Sequence, residues 1–83
     1  MSKNEELSKK IVSKFVVYEK ITTENEDGKN VTVNTAQVDV FGGSYIVSAD
    51  TKKLATELIQ KAITEVLDSG TVELSKTWEK DNL

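Results

Sequence analysis

The chain has 83 residues, a formal net charge of −3, and no cysteine, histidine or proline. Disulfides are thereby excluded, and the usual zinc ligands and the commonest general base near neutral pH are missing. The 11 basic residues are all lysine, and a mildly acidic chain without arginine suits tight nucleic-acid binding poorly, because arginine's planar fork best reads phosphates and base edges.

One domain of this size retains a net stability on the order of 5 kcal/mol. With disulfides and zinc removed, self-association is the staple left open. No apolar run follows a basic start, and no stretch approaches the roughly 20 apolar residues of a membrane span. Together with the absent cysteine, this leads to the expectation of a cytoplasmic protein. Asn30-Val31-Thr32 matches a glycosylation sequon and is read as chance. Abundant Lys, Asn, Thr and Ile with no Arg points to an AT-rich coding sequence, as in some Gram-positive bacteria and their phages.

In chain order, residues 3–13 open with Glu5 and Glu6 and close with Lys9 and Lys10, charges that suit the two ends of a helix dipole. Asn4 or Ser2 is the candidate cap, and Leu7, Ile11 and Val12 form the apolar stripe. Residues 12–23 are rich in β-branched and aromatic side chains and read as a strand, with Phe15, Val17 and Ile21 on one face and Val16 and Tyr18 on the other. Asp27-Gly28 signals a hairpin. A second strand follows over 30–41, in which Val31 and Val33 have one parity and Ala36, Val38 and Val40 the other. That switch predicts a β-bulge near Asn34-Thr35. Gly42-Gly43 is read as a tight turn and Ser44 to Ser48 as a third strand, completing an antiparallel meander.

The strongest helical signal is residues 51–69. Leu54-Ala55, Leu58-Ile59, Ala62-Ile63 and Val66-Leu67 recur every four residues and fill one half of a helical cylinder, with Lys53, Glu57, Lys61 and Glu65 opposite. Asp50 is expected to cap its start and Gly70 to end it in the left-handed conformation. In the tail, 71–83, Val72 and Leu74 alternate with polar residues as in an extended segment, and Glu79 to Leu83 are expected to be loose. The fold class is therefore α+β: α-β-β-β-α in a single domain, a three-stranded antiparallel sheet (14–49) packed on one long amphipathic helix.

One helix covers one face of a sheet, yet both faces here carry apolar residues, whereas a face left in water normally alternates to polar. The second face is expected to be covered by the N-terminal helix, the Trp78 tail, a second copy of the chain or a partner. Tyr18, Tyr45 and Trp78 are the candidate partner-binding residues, since large amphipathic rings are enriched at binding hot spots. The acidic turn Glu24-Glu26-Asp27 lacks the spacing of a calcium loop, and Gly42-Gly43 lacks that of a phosphate cradle. Asp39 and Asp50 pair with no nucleophile. No catalytic constellation, metal site or cofactor motif is expected, and the chain is read as non-enzymatic.

The order helix, three antiparallel strands, long helix resembles the double-stranded-RNA-binding domain, and Thr51-Lys52-Lys53-Leu54-Ala55 is similar to the lysine-rich helix start that grips phosphates in that family. The resemblance spans residues 4–69 in topology and implies phosphate contacts at Lys52 and Lys53. The chain departs from the family at Glu57, next on that helix face, and in lacking basic residues between third strand and helix. The leading expectation is a small protein-binding module, a phage or mobile-element regulator acting by occlusion of another protein. Weak nucleic-acid binding and a structural homo-oligomer are the alternatives.

Overall fold

A computed structural model describes residues 2–72 and 76–83. The elements are α1 (Lys3–Phe15), β1 (Val17–Glu24), β2 (Asn30–Val40), β3 (Gly43–Ala49), α2 (Lys52–Asp68) and α3 (Lys76–Asn82). The strands form one antiparallel meander in the order β1-β2-β3, as the sequence pattern predicts. The alternating segment proposed around Leu74 falls partly on residues outside those described.

The first helix starts where Ser2 accepts a hydrogen bond from the Glu5 amide, so Ser2 rather than Asn4 is the cap. It runs through Phe15, past the expected end, because Leu7, Ile11 and Val12 are buried against α2 and β2 and hold its later turns in place. Phe15 therefore closes a helix and is not part of the first strand.

Two other turns differ from expectation. The helix α2 is capped by Thr51, whose hydroxyl accepts from the Leu54 amide at 3.1 Å. Asp50 instead offers its carbonyl to the Asn34 side chain at 3.0 Å, tying the start of α2 to β2. The β2–β3 turn is centred on Phe41 (φ 58°) and Gly42 (φ 75°), one residue earlier than Gly42-Gly43. Two consecutive left-handed residues match the right-handed twist of the flanking strands. For Phe41 that conformation costs on the order of 1 kcal/mol, opposed by packing of its ring on Trp78, 5.9 Å between centroids. Gly70 ends α2 with φ 75°, as expected.

No bulge interrupts β2. Its register with β1 is continuous from Val17↔Gln37 to Glu24↔Asn30, and with β3 from Asn34↔Ala49 to Val40↔Gly43. The parity switch has another cause: the apolar residues change faces. Ala36, Val38 and Val40 point at the helices and are buried, while Val31 and Val33 belong to the opposite face.

Both long helices pack on the same side of the sheet. Leu7, Ile11 and Val12 of α1 and Ala55, Ile59, Ile63 and Leu67 of α2 form one core with Ala36, Val38 and Val40. Ser8, fully buried, is satisfied by the Asn4 carbonyl and by the Thr64 hydroxyl across the helix pair. The buried stripe of α2 is narrower than its apolar half, since Leu54 and Leu58 remain exposed on the flank away from Thr64. The tail is ordered: α3 brings Trp78 against Phe15 and Phe41, and the Asn82 amide donates to the Trp78 carbonyl. The expectation of a loose Glu79–Leu83 segment is corrected by that docking.

Beyond Asn34↔Ala49, β1 and β2 continue without β3 as a two-stranded arm ending at Gly28. The molecule measures 51 × 22 × 19 Å with a radius of gyration of 14.9 Å, against roughly 12 Å for a compact chain of this length.

Candidate functional site

Alternation assigns the face opposite the helices row by row. Val17 lies beside Gln37, which has Ile46 on its other side; Glu19 lies beside Thr35, which has Ser48 on its other side; Ile21 lies beside Val33 and Thr23 beside Val31. Directly opposed side chains lie about 5 Å apart and successive rows on one face about 7 Å, so these aliphatic groups share one surface. That surface is open. Val17 is 65% exposed, Ile46 62%, Ile21 41% and Val31 40%. Neither α1 nor Trp78, the two internal covers expected from the sequence, reaches it.

Its polarity is one-sided. Glu19 stands between the Val17/Ile46 row and the Ile21/Val33 row, and Asp39 lies beside Ser44 at the end nearer the β2–β3 turn. No lysine alternates onto this face: Lys20 points to the helix side and Lys29 sits in the hairpin tip. Asp39 accepts hydrogen bonds from the Ser44 hydroxyl and, at 3.1 Å, from the Gln37 amide. These donors, Ser44 first, hold its carboxyl below the ordinary value, so it carries charge at neutral pH.

The candidate residues from sequence lie elsewhere. Tyr18 and Tyr45 are half-buried on the helix side. The Tyr18 hydroxyl is 2.6 Å from the Thr56 hydroxyl, and Lys52 Nζ stands 4.4 Å from the centre of the Tyr18 ring. Trp78 is half-buried between Phe15 and Phe41, at 6.5 and 5.9 Å. Tyr18 and Lys52, named for different reasons, are thus brought together, and neither Tyr45 nor Trp78 joins the open face. Lys53 is exposed beside Lys52. The aliphatic set Val17, Ile21, Val31 and Ile46 was signalled only by parity, which groups residues without saying which group the helices cover.

The recesses are shallow. One of about 310 Å³ lies between α1 and α2 and is lined by Glu5, Lys9, Glu57, Gln60, Lys61 and Thr64, a mixture of signs in which the Thr64 hydroxyl is engaged with Ser8 and the Gln60 carbonyl. Among the described residues, no group of three or more carboxylates is placed to hold a metal ion, and no helix is long and apolar enough to cross a membrane. In comparisons with known proteins, no family model, no curated protein and no solved structure matches the chain.

Proposed function

We propose that the chain is a non-enzymatic protein-binding module whose docking surface is the sheet face opposite the helices. The observation that carries this is the exposure of Val17, Ile21, Val31 and Ile46 on one face, interspersed with Gln37, Glu19, Thr35 and Ser48. Single exposed aliphatics are ordinary; four of them on one flat, hydrogen-bonded surface keep apolar area in water that a partner's contact removes. The recess of about 430 Å³ beside Asp39 and Ser44, at the turn end of this face, is shallow, so the mechanism is occlusion or scaffolding and not chemistry on a small molecule. A cytoplasmic regulator of phage or mobile-element origin is the setting that the composition suggests.

The test is affinity capture from the source organism with the wild-type chain, the double variant Val17→Glu/Ile46→Glu, and Lys61→Glu as a control on the helix side. The captured protein is expected to be lost with the double variant and kept with the control, all three giving the same thermal transition. Retention by the double variant sinks the reading. The nucleic-acid alternative is disfavoured because Lys52 is engaged with Tyr18 and the open face carries carboxylates. Labelled duplex RNA at two salt concentrations checks it, with no salt-sensitive binding expected.

A further inference from the structure

The charge of the chain is divided unevenly. Residues 17–49, which form the sheet, hold two lysines (Lys20 and Lys29) against five carboxylates (Glu19, Glu24, Glu26, Asp27 and Asp39), while lysines and carboxylates balance in the remainder. The whole net charge of −3 therefore falls on the sheet segment. On the open face itself the bias is complete: among the described residues, Glu19 and Asp39 are its only ionisable groups. Carboxylates alternate there with aliphatic rows, in the order Asp39, then Val17 and Ile46, then Glu19, then Ile21 and Val33.

Resting on the proposed docking face, we infer that its occupant is a cationic amphipathic polypeptide segment. The apolar side of the segment lies on Val17, Ile21, Val33 and Ile46, and its lysine or arginine side chains meet Glu19 and Asp39. Cover by an acidic or neutral apolar segment leaves Glu19, set between two aliphatic rows, partly desolvated and unpaired, which is costly. A second copy stacked through the same face meets that difficulty twice, since it brings the Glu19 and Asp39 of both chains into one interface with no lysine to answer them. Phosphates of nucleic acid or of anionic lipid are repelled by the same groups. Attraction between unlike charges also steers the encounter and fixes register along a flat surface that has few other landmarks.

The probe is an 18-residue amphipathic peptide of leucine and lysine, with a counterpart in which every lysine is glutamate. Each is titrated into the full-length chain labelled with nitrogen-15, at low and high salt. The lysine peptide is expected to shift amides in 17–23, 31–39 and 44–48 and to bind at least about ten-fold more tightly than the glutamate peptide, in line with two partly exposed charge pairs. That preference is expected to shrink in high salt. Glu19→Gln with Asp39→Asn should remove most of it and leave a residual apolar interaction, whereas Ile46→Ser should weaken both peptides. Equal affinity for the two peptides overturns the cationic occupant while leaving the docking face standing. Shifts confined to α1 and α2, or indifference to Ile46→Ser, overturn the face and the proposed function with it. A concentration-dependent dimer in light scattering, with self-induced shifts on this face, assigns the surface to a second copy and overturns the inference.

Discussion

The two faces of this sheet are built from the same kinds of residue and have opposite fates. Val38 is fully buried and Val17 is 65% exposed, although they lie on neighbouring strands and differ by one position in phase. The difference is not in the side chains. Two helices laid on one side take the apolar groups of that side out of water, and those on the other side stay wet because nothing within the described chain comes over them. The middle strand carries the contrast internally: its first half turns Val31 and Val33 away from the helices, and its second half turns Ala36, Val38 and Val40 toward them. The covered half is core. The uncovered half is an apolar surface on an arm that two strands alone would hold only marginally.

The contrast is broken most strongly in the core. Ile63→Ala removes a fully buried side chain where α2 meets the sheet and should cost about 2–5 kcal/mol, a large part of the total stability of a domain this small. Ile46→Ala, the same change on the open face, should cost under about 0.5 kcal/mol. Urea titrations of the two variants measure the difference, and similar midpoints would mean that the open face is covered in solution.

Next in size is Trp78→Ala. The ring is half-buried between Phe15 and Phe41, so its loss should destabilise by about 2 kcal/mol, less than a fully buried tryptophan. As the only tryptophan, it also supplies a signal: emission from the folded chain should lie to the blue of free indole in water and move red on unfolding. Emission already at the aqueous position in the native state would place the ring in solvent and make it available to a partner.

A smaller pair sharpens the account of how α2 is set on the covered side. Thr51→Ala removes the hydroxyl that caps the helix and should cost about 1 kcal/mol. Asp50→Ala keeps the carbonyl that Asn34 uses and should be near neutral, a side chain with no cap to lose. Thermal melts of the two should separate in that order.

The last effect concerns the open face and is a matter of sign. The Asp39 carboxyl is held below its ordinary value by Ser44 and then Gln37. A depressed folded-state value means that the stabilisation is present above the ordinary carboxylate range and is lost as the pH falls through the folded value. Asp39→Asn should therefore leave stability unchanged at strongly acid pH and lower it slightly at neutral pH, read from melts across the acid limb. The group is solvent-exposed, so the change should be smaller than the loss of the Thr51 cap.

Much of the chain's organisation is legible without coordinates. The four-residue recurrence from Leu54 to Leu67 fixes α2, and Asp27-Gly28 marks the first hairpin. The antiparallel meander follows from short connections between β-rich runs. These are local properties, set by side-chain periodicity and by backbone preferences a few residues apart. Even the existence of two apolar sheet faces is local, because alternation needs only neighbouring residues.

Which face is roofed is not local. It depends on α1 and α2 packing together through Ser8 and Thr64, 56 positions apart in the chain, and on both then settling over Ala36, Val38 and Val40. The aromatic residues drew attention in the sequence because large rings so often bind partners. Tertiary packing set Tyr18 beneath Lys52 and beside Thr56, Tyr45 on the helix side and Trp78 against Phe15 and Phe41. It left the smaller aliphatic side chains outside. A bulge inferred from the parity switch was the same ambiguity in another form: a change of buried face and a slip of register give one sequence pattern, and only cross-strand pairing tells them apart. Sequence alone determined that this protein has more apolar sheet than one layer of helices covers. Only the tertiary structure decided which residues bear the excess, because burial belongs to long-range contacts and not to the residues themselves.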